Sequence, residues 1–213
     1  MKLWHCPDAR SFRPLWALEE MALPYELEIL PFPPRVFDRS YLDVNPLGTV
    51  PYFVDGDHHM TESTGICHYL VETYGQSEFG VAPGAPEYGV APGAPEYGAY
   101  LNWLYHSDAT LTFPQTLYLR YTRLEPDEVK AQVGEDYRKW YLARLKLLNS
   151  RVEDHEFLVG DRFTIADIAC AYALYLGESL DIAKDYKAPT QAYLARMKAR
   201  PGFQRALQAQ KKD

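Results

Sequence analysis

Residues 46–70 read PLGTVPYFVDGDHHMTESTGICHYL, and this stretch decides the fold of the first half of the chain. Residues 52–54 and His58–Met60 flank an Asp-Gly-Asp turn, which predicts a β-hairpin. Apolar residues recur at helical spacing over residues 63–74, which predicts a helix directly after the hairpin. The stretch therefore places a strand start at Pro51 and a helix start shortly after the same hairpin.

Both of these starts suit recognition of a small zwitterionic peptide. A cis bond between Val50 and Pro51 would turn the Val50 N–H and C=O outward, where an extended peptide could pair as an added strand. The helix start and the Ser63 hydroxyl suit a carboxylate, and the Glu62 carboxylate suits an ammonium group. Glu62 and Ser63 alone are also typical of an ordinary helix cap, so both interpretations stay open.

The rest of the first half alternates strands and helices. Strands are predicted over residues 2–6 and 25–30, and a helix over residues 11–21. Residues 37–42 read as a short helix or an irregular segment. Together with the hairpin and its helix, this order predicts an α/β domain with a mixed four-stranded sheet and helices packed on it.

The second half contains helical patterns only. Helices are predicted over residues 99–113, 127–152, 164–176 and about 189–200. Pro114 should kink or interrupt the first of them, and Pro201-Gly202 follows the last. Thr164 and Asp167 open the third with the spacing of a capping box. This half is predicted to be an all-α bundle.

A nonapeptide, VAPGAPEYG, separates the halves and occurs twice, at residues 81–89 and 90–98. Two copies are too few for a repeat fold, and lengthening a flexible exposed loop costs little free energy. We interpret the segment as a tolerated duplication, with a spacer or binding loop as the alternative. The predicted domains are residues 1–78 and 99–213, joined by a linker over residues 79–98.

Composition argues against several classes of function. A net charge of -7 disfavours a phosphate-binding surface, so nucleic acid is not an expected partner. No signal-peptide core or membrane-length apolar run is present, and no membrane contact is expected. Three widely spaced cysteines favour free thiols in a reducing cytoplasm. No Cys/His cluster has zinc spacing, so no metal is expected.

Four motifs, in this order and spacing, resemble the cytosolic-type glutathione S-transferases over nearly the whole chain. They are the strand-turn-helix of residues 2–20, NPLGTVP at 45–51, TESTGI at 61–66 and GDRFTIAD at 160–167. The resemblance implies a thioredoxin-like N-terminal domain that binds glutathione as co-substrate and a helical domain that binds the second substrate. It also implies a homodimer.

The resemblance further implies individual residue roles. The implied glutathione-binding residues are Thr49, Val50, Pro51, Glu62 and Ser63. The Val50–Pro51 bond would be cis, and Glu62 with Ser63 would hold the γ-glutamyl end. A cap connected with folding would involve Asp161, Thr164 and Asp167.

The group that holds the glutathione thiolate has two candidates. A thiol with a pKa of about 8.5 needs a hydrogen bond or a helix dipole to ionise at neutral pH. Ser11, at the first helix start, is the first choice as hydrogen-bond donor to the thiolate, although it could simply be an N-cap. Cys6 is the rival, because CPDA at residues 6–9 resembles the Cys-Pro-x-Cys loop of glutaredoxins and the Cys-Pro start of omega-like transferases. It could form a mixed disulfide with glutathione, or be an inert buried thiol.

Beta-like bacterial transferases, which the start of this chain resembles, would have a cysteine at position 10, where this chain has Arg10. A mechanism that uses a cysteine at this position is therefore not expected. The charge of Arg10 could support the thiolate, or Arg10 could be a solvated residue at the helix end.

Four residues at helical spacing in the second half are predicted to line a hydrophobic electrophile pocket: Trp103, His106, Thr110 and Phe113. Such stripes also serve as core, and His106 could instead contact a partner subunit or lie on the surface.

The main hypothesis is a cytoplasmic transferase that conjugates glutathione to small hydrophobic electrophiles. The alternatives are a glutathione-dependent thiol-disulfide oxidoreductase that uses Cys6, and a glutathione-binding or adaptor protein without turnover.

Overall fold

The computed structural model describes residues 1–75 and 88–211. It forms two compact units, one from Met1–Gly89 with Lys198–Asp213 and one from Val90–Met197. Residues 79–87 of the predicted linker, and with them most of the first nonapeptide copy, lie outside the described residues.

The first unit is built on a four-stranded mixed sheet in the order β2-β1-β3-β4. Its strands are β1 (Lys2–His5), β2 (Glu26–Ile29), β3 (Tyr52–Asp55) and β4 (His58–Met60). β1 is parallel to β2 and antiparallel to β3, and β3 pairs with β4 as the predicted hairpin. The expected mixed sheet is confirmed.

The helices within residues 1–75 follow strands β1, β2 and β4 along the chain. They are α1 (Phe12–Glu20), α2 (Pro34–Phe37) with a 3₁₀ turn at Arg39–Asp43, and α3 (Ser63–Tyr74). α1 packs against α3, and both bury apolar side chains such as Leu15 and Ile66. Leu3 of β1 and Phe53 of β3 are paired across the two strands, and both are fully buried. This core holds α3 against α1.

The second unit is helical, as predicted. Its helices are α4 (Tyr97–Tyr105), α5 (Phe113–Leu119), α6 (Glu128–Asp154), α7 (Ile165–Ser179) and α8 (Ala188–Lys198), with a 3₁₀ turn at Ala183–Asp185. Two π-helical stretches, His106–Thr112 and Arg120–Leu124, flank α5. Pro114 does not break the chain of helices, because it lies in the first turn of α5, where proline's missing N–H is tolerated. No helix in the described ranges is long and apolar enough to cross a bilayer.

The predicted capping box opens α7. Ala166 N–H donates to the Thr164 hydroxyl at 3.3 Å, and Thr164 N–H donates to Asp167 Oδ2 at 2.9 Å. The other oxygen, Oδ1, accepts from Leu158 N–H at 3.0 Å and from the Tyr193 hydroxyl at 2.9 Å. One buried carboxylate therefore joins the loop before α7, the start of α7 and α8.

The last helix in the described residues is α9 (Pro201–Ala209), which the sequence patterns above do not predict. The sequence pattern predicts that Pro201 follows the last helix, but Pro201 lies at the start of a new one, where proline is favoured. Phe203 packs edge-on against Phe12 and Trp16 of α1, with ring centroids 5.2 and 4.9 Å apart. Residues 198–211, predicted to lie in the helical domain, thus belong to the first unit.

Candidate functional site

Val50 presents an unpaired backbone edge. The Val50–Pro51 bond is cis, as the resemblance implies. β3 begins only at Tyr52, and among the described residues the Val50 N–H and C=O have no hydrogen-bond partner. The Val50 side chain packs, together with Ala9, against a buried cluster that contains Cys6. An extended peptide that paired with Val50 would therefore meet the loop between β1 and α1.

The segment before Val50 is held by its own side chains. The Thr49 C=O accepts hydrogen bonds from the Tyr41 hydroxyl at 2.7 Å and the Asn45 amide at 2.8 Å. The other end of the Asn45 amide accepts from Leu47 N–H at 3.1 Å, which closes an Asx turn. Gly48 has a φ of +59° and completes this turn. These bonds fix the position of the Val50 edge.

Ser63 is the first residue of α3, and a buried arginine contacts it. Glu62 is the exposed N-cap residue and makes no capping hydrogen bond with its side chain. Arg13 Nη1 donates to Ser63 Oγ at 3.0 Å, and both side chains are buried. Because Oγ is the acceptor in this bond, the Ser63 hydroxyl keeps its own proton, for which the described residues supply no acceptor. The arrangement suits an anion at the helix start.

Sequence reasoning missed Arg13. Its partner is 50 residues away in the sequence, so no local pattern links them. The available signal was a charged residue in an otherwise apolar stretch of α1, where every residue from Phe12 to Leu18 is buried. A buried cation needs compensating contacts, which makes such a position a candidate site residue.

The two candidates for thiolate binding are both buried. Burial raises the pKa of the Cys6 thiol to about 12, which disfavours the nucleophilic thiolate. Ser11 Oγ accepts from Cys6 N–H at 3.3 Å, and its own proton makes only a long contact of 3.5 Å with the Cys6 C=O. Ser11 is the N-cap residue of α1, but its side chain makes no capping bond. Arg10 lies half-buried in the same loop.

The four predicted electrophile-binding residues lie in the second unit, and the structure brings only some of them together. Trp103 is buried and its ring lies 5.4 Å from that of His106, centroid to centroid. His106 and Thr110 belong to the first π-helical stretch, whereas Phe113 packs on Tyr137 of α6 at 6.3 Å. Burial lowers the pKa of His106, so its ring is neutral at pH 7.

Other sites for chemistry are limited in the described part of the chain. Cys6, Cys67 and Cys170 are buried free thiols. Across residues 1–75 and 88–211, no group of three or more His, Cys, Asp or Glu side chains is placed to hold a metal ion.

Two models of known protein families match this chain. The family model "Glutathione S-transferase, N-terminal domain" matches residues 3–78, and "Glutathione S-transferase, C-terminal domain" matches residues 107–201. Glutathione S-transferase 3 of Schizosaccharomyces pombe is 27% identical over 194 residues, which cover 83% of this chain and 74% of the relative.

Two solved structures share the fold. The ternary complex of BphK, a bacterial GST, has a TM-score of 0.82 and 24% identity over 99% of both chains. The glutathione transferase URE2P8 from Phanerochaete chrysosporium, solved with oxidised glutathione, has a TM-score of 0.81 and 20% identity, covering 98% of this chain and 94% of that one. Since both domain types match in the expected order along a single chain, this protein belongs to the glutathione S-transferase family.

Proposed function

We propose that this member of the family conjugates the thiolate of glutathione to small hydrophobic electrophiles. The observation that carries the proposal is the contact between Arg13 and Ser63 at the start of α3. Positive charge next to a hydroxyl donor at a helix N-terminus supports binding of the γ-glutamyl carboxylate there.

The proposed binding mode uses both ends of the tripeptide. The γ-glutamyl carboxylate accepts from the Ser63 hydroxyl and from the first N–H groups of α3, which have no partner within the helix. Glu62 pairs with the ammonium group of the same residue. The cysteinyl backbone pairs with the N–H and C=O of Val50, adjacent to Thr49 and Pro51, as an added strand.

Catalysis would rest on ionising and orienting the thiol. Ser11 is proposed to donate a hydrogen bond from its hydroxyl, which is only weakly engaged with the Cys6 C=O, to the thiolate, and Arg10 to add positive charge near it. The thiol proton passes to solvent, and a sulfur lone pair forms the new C–S bond. A leaving group then departs with its bonding electrons, or π electrons move onto a neighbouring acceptor group. Holding the two reactants in line supplies much of the acceleration.

The electrophile is proposed to contact the apolar and aromatic surface around Trp103, His106, Thr110 and Phe113. A neutral His106 suits an uncharged substrate, because it adds a hydrogen-bonding group without a charge. The homodimer remains a prediction that rests on the family resemblance, and the cytoplasmic location remains a prediction that rests on the three widely spaced cysteines.

Conjugation and disulfide-reductase assays on Ser11→Ala and Cys6→Ala test the proposal. We expect Ser11→Ala to lower kcat for conjugation by about tenfold or more and to raise the pKa of bound glutathione, because one hydrogen bond to the thiolate is lost. Cys6→Ala should keep conjugation within about threefold, since its buried thiol is protonated at neutral pH.

Other outcomes of these assays assign the rival functions. Full conjugation activity in Ser11→Ala would remove that residue from the mechanism. Reductase activity that disappears in Cys6→Ala would favour the oxidoreductase hypothesis. A folded wild-type protein that binds glutathione but shows neither activity would be the adaptor.

Gly48→Ala should weaken glutathione binding about tenfold and lower stability by about 1–3 kcal/mol. A Cβ at this position would lie 2.7 Å from the Cβ of Arg35 and 2.9 Å from Cδ2 of Leu42, and the φ of +59° is itself strained for alanine. The Val50 edge would therefore shift. Gly56→Ala is the matched control, because Gly56 has a φ of +56° but open space around it.

Calorimetric titration with glutathione and thermal unfolding of both variants measure these effects. Equal losses of affinity in Gly48→Ala and Gly56→Ala would show that backbone strain, and not the position of the Val50 edge, controls binding.

A further inference from the structure

The side chain of Gln210, directly after α9, contacts the loop between β1 and α1. Gln210 is 8% exposed and lies 202 residues from its partner Asp8. Its Oε1 accepts from Asp8 N–H at 3.1 Å, and its Nε2 donates to Asp8 Oδ1 at 2.7 Å. The amide thus satisfies both the backbone and the side chain of one loop residue.

These two bonds fix more than the loop. Because a backbone N–H can only donate and a carboxylate can only accept, the orientation of the Gln210 amide is determined. His5 Nε2 lies 3.1 Å from the same Oε1, so it must be the protonated nitrogen of the ring. Burial lowers the pKa of His5 to about 4, which keeps this ring neutral at pH 7.

α9 packs on α1 and thereby fixes the position of Gln210. Phe203 packs on the rings of Phe12 and Trp16, and Arg200 Nε donates to the Glu20 carboxylate at 2.9 Å. The Gln210 N–H itself bonds to the carbonyl of α9 residue Ala206 at 3.1 Å. The backbone of Gln210 is therefore attached to α9, and α9 is held in place by its packing on α1.

The loop residue that Gln210 holds has an unfavourable backbone. Asp8 has a φ of +59°, a left-handed conformation that side chains other than glycine adopt at a cost. The loop continues to Ala9, which packs with Val50 against the Cys6 cluster, and to Ser11, whose hydroxyl accepts from Cys6 N–H. A change at Asp8 would therefore move the surface that a peptide paired with Val50 would meet.

We propose that Gln210 is a positioning residue for the thiol end of the glutathione site, acting through Asp8 on the β1–α1 loop. The inference rests on the proposed function. It separates two parts of one site: Arg13 and Ser63 govern affinity through the γ-glutamyl end, whereas Gln210 governs the ionisation of the thiol.

Gln210→Leu tests this role, because leucine keeps the size of the side chain and removes its hydrogen bonds. We expect the pKa of enzyme-bound glutathione, followed by thiolate absorbance, to rise by about one unit, and kcat near pH 6.5 to fall about tenfold. Glutathione affinity should stay within about threefold. Gln208→Leu is the matched control, since Gln208 is exposed and bonds only near its own helix end, and it should match wild type in all three measurements.

A reciprocal swap provides the rescue. Gln210→Glu alone replaces the amide that donates to Asp8 Oδ1 with a second carboxylate, so two carboxylates face each other. The double variant Asp8→Asn/Gln210→Glu exchanges donor and acceptor, so each contact can form again. We expect the single variant to raise the thiol pKa and the double variant to recover most of the wild-type value. This pair carries the test if Gln210→Leu does not fold.

The outcomes separate the inference from the proposed function. Wild-type protein that neither binds nor conjugates glutathione would overturn the proposed function. If wild type is active but Gln210→Leu and Gln210→Glu leave the thiol pKa and kcat unchanged, only the inference fails. It also fails if the variants lose affinity and stability with no change in the thiol pKa, which indicates a purely structural contact.

Discussion

Replacing Asp167 with asparagine should lower the free energy of unfolding by about 3 kcal/mol at pH 7, which corresponds to a fall in Tm of roughly 10 °C for a chain of this size. The Asp167 carboxylate is fully buried. Oδ1 faces donors from Leu158 and Tyr193, and Oδ2 faces the N–H of Thr164. An amide NH₂ in either position would point a donor at a donor, leaving buried groups unpaired.

Asp161→Asn is the matched control for this change. Asp161 lies in the same loop, but its side chain is 77% exposed and its partners are His155 and Arg151. Asparagine tolerates the φ of +51° found there, so stability should change by less than about 0.5 kcal/mol. Thermal and urea unfolding measure both variants. Equal losses of stability in the two variants would contradict the role of the buried capping box formed by Thr164 and Asp167.

The same residue predicts a pH dependence. Burial raises the pKa of Asp167 from 3.8 to about 6, despite hydrogen bonds that favour the charged form. Because the folded state binds the proton more tightly than the unfolded chain, this residue stabilises the fold most below about pH 4, and the contribution is lost as pH rises through about 6. Asparagine does not titrate. The difference in stability between wild type and Asp167→Asn should therefore narrow from about pH 4.5 to about pH 7.5.

Predictions from local sequence patterns were the most accurate. The hairpin that ends at Met60, the helix at Ser63 and the capping box of Thr164 with Asp167 all depend on residues within a few positions of each other. The missing helix α9 had a local signal as well, because Pro201 at a first helical position starts a helix as readily as it follows one. That error came from interpreting proline only as a stop.

Contacts between distant parts of the chain could not be predicted in this way. Arg13 meets Ser63 only because α1 packs against α3, and Gln210 meets Asp8 only because α9 packs on α1. Which polar side chains meet depends on the three-dimensional packing, and a single sequence does not encode those pairs in any local pattern. The resemblance supplied the glutathione-binding residues, but not the residues that hold them in place.

The contact between Arg13 and Ser63 makes the strongest functional prediction. Ser63→Ala should weaken glutathione binding about 30-fold, because a hydroxyl that bonds a carboxylate contributes about 2 kcal/mol. Arg13→Met should cause a similar loss, although Arg13 is buried behind Ser63. Without the guanidinium, the Ser63 hydroxyl can rotate, and the helix start loses the nearby positive charge that an anion favours.

A double-mutant cycle decides whether the two residues act as one unit. If Arg13 works by orienting Ser63, the Arg13→Met/Ser63→Ala variant should bind glutathione about as well as either single variant, giving a coupling energy of about 2 kcal/mol. Arg144→Met, which removes an exposed arginine from α6, should leave affinity within about twofold and controls for the change in net charge. Calorimetric titration gives the affinities, and unfolding confirms that each variant is folded. Additive losses would mean that Arg13 acts on the ligand or the fold independently of Ser63, because two groups that share one hydrogen bond cannot each lose it separately.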